Sequence, residues 1–200
     1  MRVILADYGA GNLRSVASAF QRAGAEVEIS DDPDAVHEAP LAVIAGVGHA
    51  GSALAGLETR GLDEALRDRA AAQRPLLGIC VGMQLLFEES EEGGMGLGLL
   101  RGHVRRLRAR RVPHMGWNAL EVRDGSELFA GLAGTDVYFA HSFACEPADS
   151  EVVAASTDHE GPLVAAVAHG VLAGVQFHPE RSGAAGATLL RNVIAWSRSA

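Results

Sequence analysis

Cysteine is scarce in this chain of 200 residues, which has Cys80 and Cys145 and no others. Two cysteines exclude the dense disulfide framework of small secreted domains. A secretory leader is also missing from the N-terminal stretch MRVILADYGAG, because the apolar run before Asp7 is too short. We therefore expect a reduced, cytoplasmic protein.

A long uninterrupted apolar run and an excess of basic residues are absent too. Residues 40–57 contain no charged side chain, but Gly46, Gly48, Gly51 and Gly56 interrupt them. A strand, a loop and the start of a helix fit this stretch better than a membrane span. The formal net charge of -8 and the pI of about 5.4 argue against nucleic-acid binding.

The first half of the chain alternates strand and helix patterns. RVILAD, AEVEIS, PLAVIAGVG and PLLGI predict four strands, and helical patterns follow from Leu13, over residues 53–73 and over residues 80–89. In the first helix Leu13, Val16, Ala17 and Phe20 share one face, and Gly24 is placed to end it. This alternation predicts a parallel sheet covered by helices on both faces.

The second half contains short strands separated by turns. DVYFAHSFA, EVVAAST, LVAAVAHG and LAGVQFH predict them, and His169-Gly170 marks one turn. Ser182 is placed as the N-cap of a last helix, which buries Leu189, Leu190, Val193 and Ile194. With 48% hydrophobic residues, the chain predicts one α/β domain over residues 1–200. Its mixed, mostly parallel sheet is flanked by helices and has extra antiparallel strands in the second half.

Cys80 lies between two glycines at the predicted join of a strand and a helix. The segment Gly78-Ile79-Cys80-Val81-Gly82 has the spacing of the nucleophile elbow, in which glycines relieve crowding around a sharp turn. A helix N-terminus at the sulfur favours the thiolate. A buried structural cysteine beside a glycine-rich bend is the other interpretation.

His178 and Glu180 provide a possible base for this thiol. They stand two residues apart at the end of the strand GVQFH, so strand alternation directs both side chains to the same face. A carboxylate that orients an imidazole, which activates a thiol, is the logic of a catalytic triad. A solvent-facing histidine and a metal-binding pair are the alternatives, and no accompanying metal motif supports the second.

The other histidines and the arginine run have no assigned chemistry at this point. His49, His103, His114, His141, His159 and His169 are scattered along the chain. We interpret them as loop or core residues. The run RGHVRRLRARRV, residues 101–112, is either a phosphate-binding or docking patch or a solvated strand and loop.

Two motifs identify the family that the chain resembles. LLGICVGMQLLFEES and QFHPERS resemble the class I glutamine amidotransferases, whose triad is Cys-His-Glu. DYGAGNLRSV, VPHMGWN and YFAHSFA are similar to one group in that family, the glutaminase subunits of imidazole glycerol phosphate synthases. Together the motifs run from residue 7 to residue 182, so the resemblance covers nearly the whole chain.

The resemblance implies that Cys80, His178 and Glu180 hydrolyse L-glutamine without a cofactor or metal. Val81 and the loop Gly46-Val47-Gly48 would hold the oxyanion. Gln84, Ser142 and Phe143, with Gly48, match the family's glutamine contacts. Gln84 is one helical turn beyond Cys80, on the same face.

The resemblance also implies a partner, a (β/α)8-barrel cyclase subunit that receives the ammonia. Positions that family members place at or near this interface are matched by Asn12, Trp117, Asn118, Tyr138 and Arg181. Partial core burial is the alternative for Trp117 and Tyr138.

The chain departs from the family pattern at one position, and three alternative functions remain open. Ala45 stands where the family usually has proline before the oxyanion loop, which relaxes the backbone there. The alternative functions are a glutaminase subunit of another synthase, a γ-glutamyl hydrolase and an inactive module that regulates a partner.

Overall fold

The computed structural model describes residues 1–199. Its strands are β1 Arg2–Ala6, β2 Glu26–Ser30, β3 Leu41–Gly46, β4 Leu76–Cys80, β5 Phe87–Ser90, β6 Gly94–Met95, β7 Leu100–Arg106, β8 His114–Ala119, β9 Glu121–Val122, β10 Asp136–His141, β11 Phe143–Pro147, β12 Val153–Asp158, β13 Pro162–His169 and β14 Leu172–Val175. Its α-helices are α1 Leu13–Arg22, α2 Pro33–Glu38, α3 Ala50–Thr59, α4 Leu62–Ala71, α5 Val81–Leu85 and α6 Gly183–Trp196. Short 3-10 turns cover Glu127–Phe129, Ser150–Val152 and Pro179–Arg181.

The main sheet has eight strands in the order β2-β1-β3-β4-β14-β13-β12-β9. Its first five strands are parallel, and the pairs from β14 to β9 are antiparallel. The mixed sheet predicted from the sequence is therefore confirmed. Strands β3 and β4 are buried along their whole length, as expected for continuous apolar runs in the middle of a covered sheet.

Two smaller sheets lie outside the main one. Strands β8 and β10 pair antiparallel, and β11, β7, β5 and β6 form a four-stranded sheet. The stretch DVYFAHSFA was predicted as one strand, but it changes sheets at Ser142, between β10 and β11. This change of sheet creates a bend at residues 141–143.

The outer helices bury the stripes that the sequence predicts. Leu13, Val16, Ala17 and Phe20 are buried in α1, and Leu189, Leu190, Val193 and Ile194 are buried in α6. Helix α1 ends at Arg22, and Gly24 follows with φ +95°, a conformation that glycine adopts readily. Ser182 precedes α6, but its hydroxyl makes no capping bond.

Two predicted helices differ from the structure. Residues 53–73 form α3 and α4, because Gly61 adopts a left-handed conformation between them. The helix predicted over residues 80–89 ends at Leu85, and β5 begins at Phe87. Apolar runs as short as LLF do not distinguish a helix from a buried strand.

Residues 40–57 form strand β3, a loop and most of α3, as predicted. Within residues 1–199, no helix has the length and apolarity needed to span a bilayer.

Candidate active site

Cys80 is the last residue of β4 and immediately precedes α5, so the predicted strand-to-helix join is confirmed. Its backbone has φ 54° and ψ -108°, a region that non-glycine residues seldom adopt and that commonly marks functional sites. The thiol is nearly buried, with 3% of the residue exposed. Helix α5 has five residues, so its dipole at the sulfur is smaller than that of a longer helix.

The glycines beside Cys80 allow this turn to pack. A Cβ on Gly82 would lie 1.9 Å from the carbonyl oxygen of Ile44, and a Cβ on Gly78 would lie 2.5 Å from the backbone of Gly82. Real Cβ atoms do not approach backbone so closely. The glycine spacing thus serves the close approach of β3, β4 and α5.

His178 and Glu180 meet beside β4, but strand alternation is not the reason. Strand β14 ends at Val175, and His178 precedes the 3-10 turn that contains Glu180. His178 Nδ1 lies 2.9 Å from Glu180 Oε1, and their side chains are 6% and 3% exposed. Among the described residues, Glu180 Oε2 is a buried side-chain oxygen without a hydrogen-bond partner. The pair therefore holds a carboxylate next to the imidazole, shielded from solvent.

His178 is set up to carry a positive charge. Burial alone would lower its pKa, but hydrogen bonding and charge from Cys80 and Glu180 outweigh burial and raise the pKa to about 10. The imidazole is therefore protonated at neutral pH. Such a group is placed to donate a proton to a leaving amine.

The loop after β3 faces the cysteine. Gly46 is opposite Cys80 in the sheet register, and the exposed residues Val47 and Gly48 follow it, Gly48 with φ +96°. Val81 opens α5, so its N–H has no carbonyl acceptor within the helix. Val47, Gly48 and Val81 thus line the same cavity.

A cavity of about 360 Å³ opens over the cysteine, a size typical of small-molecule sites. It brings together Asn12, Val47, Gly48, Cys80, Val81, Gln84, Ser142, Phe143, His178, Glu180 and Arg181. These residues come from both halves of the chain. Except for Gly46, the residues predicted for the triad and for glutamine binding line this cavity, together with Asn12 and Arg181, which were assigned to the partner interface.

Four residues at this site were missed by the sequence reasoning. Glu92 and His141 line the cavity, and Gln176 Nε2 lies 3.6 Å from Cys80 Sγ. The hydroxyl of Tyr8 donates to the carbonyl of Ala45 at 3.0 Å. Gln176 carried one signal, as a polar residue in the apolar run GVQF, and Glu92 carried none. Tyr8 and His141 lie in the motifs DYGAGNLRSV and YFAHSFA, but neither received a role.

Of the residues matched to an interface, Asn12 and Arg181 line the cavity, and Tyr138 and Trp117 continue from Arg181 through side-chain contacts. Arg181 places its guanidinium 4.0 Å from the centre of the Tyr138 ring, and Tyr138 contacts Trp117 edge-on at 6.0 Å. Trp117 is 57% exposed, so core burial does not account for it. Asn12 lines the cavity, whereas Asn118 is half-buried and donates to the carbonyl of Asp158.

The remaining sequence features fall outside the cavity, apart from one histidine. Most side chains of the run 101–111 point to solvent from β7 and the loop after it. Cys145 is buried, and burial raises its thiol pKa well above the usual value. Among the histidines, His114, His141 and His159 are not scattered but packed together.

The comparisons with known proteins agree with this geometry. The family model described as glutamine amidotransferase class-I matches residues 4–196. A crystal structure of a glutamine amidotransferase superposes with a TM-score of 0.80 and 21% identity, over 98% of each chain. At that identity the superposition shows the fold alone.

The chain therefore belongs to the class-I glutamine amidotransferase family. Two of its relatives are imidazole glycerol phosphate synthase subunits HisH. The protein from Moorella thermoacetica is 46% identical over 95% of this chain and 92% of its own length. The protein from Mycolicibacterium paratuberculosis is 46% identical over 96% of each. Within the family, the chain falls in this HisH group.

Proposed function

We propose that Cys80, His178 and Glu180 are the catalytic triad of a glutaminase. The observation that carries the proposal is their arrangement: a cysteine in a strained elbow and a buried His-Glu pair open onto one cavity. As a member of the HisH group, the chain is the glutaminase subunit of an imidazole glycerol phosphate synthase, an enzyme of histidine biosynthesis.

The reaction follows from the positions of these groups. Cys80 Sγ attacks the side-chain carbonyl carbon of glutamine, and the oxyanion is held by Val81 N–H and an amide of the loop Gly46-Val47-Gly48. His178 gives its proton to the side-chain nitrogen of glutamine. Ammonia then departs, and a glutamyl thioester remains on Cys80. His178 then takes a proton from water, which attacks the thioester and releases glutamate. Glu180 orients the imidazole throughout.

Glutamine would be held by polar groups around the cavity. Gln84 lies in the wall beyond the nucleophile, and Ser142 and Phe143 supply the bend between β10 and β11. Glu92 contributes a carboxylate to the lining, a suitable partner for the α-ammonium of an amino acid. One of its oxygens is fixed by Ala50 N–H at 2.8 Å.

We further propose that residues 1–200 act as one glutaminase domain in the cytoplasm, where its free cysteines stay reduced. The partner is a (β/α)8-barrel cyclase subunit that receives ammonia. The proposed docking residues are Asn12, Trp117, Asn118, Tyr138 and Arg181. Arg181 lines the cavity and contacts Tyr138, which in turn contacts Trp117, and a partner on this row would cover the exit for ammonia.

Glutamate release tests this function in three states: the chain alone, its complex with the cyclase subunit, and the complex with cyclase ligand bound. We expect activity in the last state to exceed that of the chain alone by about 10²–10³-fold, the usual cost of one missing oxyanion donor. Equal rates in all states would indicate a free-standing hydrolase. No release in any state would indicate an inactive module.

Cys80→Ser supplies the matched control. Its complex should release no glutamate but still make product from ammonium salt, because added ammonia bypasses the glutaminase site. Loss of both activities would show that the substitution had damaged the assembly.

A further inference from the structure

Three histidines that the proposed triad does not use pack together beside the cavity, with His159 stacked on His114 and His141 edge-on to it. The ring of His114 lies between Phe139, at 4.5 Å, and His159, at 4.2 Å. Its Nδ1 is 2.9 Å from Nε2 of His141, and Nδ1 of His141 is 2.8 Å from the carbonyl oxygen of Phe143. His114 and His141 are 4% and 6% exposed, so these contacts form in a dry environment.

The contacts determine where each proton lies. A carbonyl oxygen only accepts, so His141 donates to Phe143 from Nδ1. Burial lowers the pKa of His141 to about 3 and that of His114 to about 4, so both rings are neutral at pH 7. The Nε2 of His141 is then an acceptor, and His114 must donate to it from Nδ1. Both histidines therefore carry their proton on Nδ1.

The same carbonyl orients the side chain of Gln84. Gln84 Nε2 donates to Phe143 O at 3.0 Å and to Gln176 Oε1 at 3.1 Å. Both N–H groups of the amide are thus engaged inside the protein. What Gln84 offers to a ligand in the cavity is its Oε1 acceptor. The other end of Gln176 faces Cys80 Sγ, so the network reaches the nucleophile.

We propose that His141, held in one tautomer by His114, is a positioning residue for glutamine binding. It fixes the Phe143 carbonyl at the bend between β10 and β11, and through that carbonyl it fixes the orientation of the Gln84 amide. His114 acts one step further from the substrate. This role rests on the proposed glutaminase function and adds a source of substrate affinity to it.

The tautomers give a test that does not depend on activity. Long-range proton–nitrogen spectra of the chain labelled with 15N-histidine should show His114 and His141 as neutral, Nδ1-protonated rings from pH 8 down to about 5.5. This tautomer is the less common one in water, so it reports the network. An Nε2-protonated or charged His141 at pH 7 would overturn the proposal.

Two substitutions of His114 separate hydrogen bonding from packing. His114→Asn keeps an N–H donor near the position of Nδ1 but removes the stacking ring. His114→Phe keeps the stacked ring but removes the donor. In complex with the cyclase subunit, His114→Phe should raise the KM for glutamine roughly three- to tenfold, the effect of one hydrogen bond. His114→Asn should leave KM closer to wild type.

A higher KM for glutamine in His114→Asn than in His114→Phe would show that His114 and His141 act through packing alone. Equal KM values for all three proteins would also overturn the proposal. A wild-type complex that releases no glutamate would instead refute the proposed function, while the tautomer spectra would still report on the histidine pair.

Discussion

His178 keeps a proton in a buried place because two acidic groups face it. Glu180 Oε1 is 2.9 Å from Nδ1, and Cys80 contributes hydrogen bonding and charge. Each partner favours the imidazolium over the neutral ring. The charge on His178 is therefore a property of the three residues together, and removing either partner should reduce it.

We predict that Glu180→Gln lowers the pKa of His178 from about 10, because the imidazolium loses its neighbouring carboxylate. Cys80→Ala should act in the same direction. Nitrogen chemical shifts of His178 measured from pH 6 to pH 11 follow the titration. Cys145→Ala is the control, since Cys145 lies on β11, pairs with Val104 on β7 and does not line the cavity. A pKa unchanged by both active-site substitutions would contradict the assignment.

A second prediction at the scale of one residue concerns Tyr8. Its ring is 2% exposed, and its hydroxyl fills the space where a Cβ of Gly46 would be, at 2.3 Å. Tyr8→Phe leaves the Ala45 carbonyl without this donor, at a cost of about 1 kcal/mol in the free energy of unfolding. Without the hydrogen bond to Ala45, the proposed oxyanion loop Gly46-Val47-Gly48 is held less firmly at its start. Glutamate release by the isolated chain should therefore rise.

Urea unfolding and a basal glutaminase assay test these effects of Tyr8→Phe together. Ser15→Ala removes a hydroxyl that bonds only to the exposed Asn12 side chain, so it provides a matched control. If Tyr8→Phe unfolds at lower urea but keeps the basal rate, the hydroxyl supports the fold and not the loop.

At the scale of elements, the sequence predicted best where apolar runs are long and bounded by glycine. The four parallel strands and the stripes of α1 and α6 follow directly from periodicity. The sequence analysis did not predict the strand pairing between Leu85 and Ala119, because the strands there are half-exposed and lack a continuous apolar run. Their pairing is set by contacts between distant segments, such as β11 with β7, which local patterns do not contain.

The residues of the candidate active site likewise fall into two groups, those that local sequence indicates and those whose contacts depend on the fold. Cys80, His178 and Glu180 lie in motifs with recognisable chemistry, so the sequence alone led to the proposal that they form the triad. Tyr8 and His141 lie in the motifs DYGAGNLRSV and YFAHSFA, but nothing in those segments indicates which groups they contact. Their roles arise from the carbonyls of Ala45 and Phe143, which the fold brings within reach. A single sequence contains no signal for such long-range pairs.

The elbow between β4 and α5 gives a prediction for Gly82. Gly82→Ala would place its Cβ 1.9 Å from the backbone carbonyl oxygen of Ile44. We expect a loss of more than about 3 kcal/mol in the free energy of unfolding. The control is Gly134→Ala, which has open space around its Cβ but φ +70° and should cost about 1–2 kcal/mol. Similar urea midpoints for both variants would contradict the close approach.

At the scale of the whole molecule, the two buried neutral histidines predict acid sensitivity. The pKa values of His114 and His141 are about 4 and about 3 in the folded chain, below the value of about 6.5 in an unfolded chain. The unfolded state thus binds more protons below pH 6.5. The stability that both groups contribute is complete above pH 6.5 and is lost as the pH falls towards 4 and 3.

Urea unfolding at pH 7 and at pH 5 measures this loss. Each histidine contributes about 2 kcal/mol at most over that interval. His114→Phe removes one of the two groups, so its free energy of unfolding should depend less steeply on pH than that of the wild type. His169→Phe, at an exposed turn, should retain the full dependence. Identical slopes in all three proteins would contradict the buried, neutral state of His114.

The position of β14 has a consequence for synthesis of the chain. Strand β14 pairs with β4 on one side and β13 on the other, yet residues 172–175 leave the ribosome long after β1 to β4. Until they arrive, β4 is an open sheet edge with the apolar sequence LLGIC, a template for pairing with other chains. The proposed nucleophile, Cys80, ends β4, and the proposed base, His178, follows shortly after β14. A nascent chain therefore cannot release ammonia and is prone to aggregate until β14 inserts beside β4. That single late step covers the open edge of β4 and completes the catalytic site.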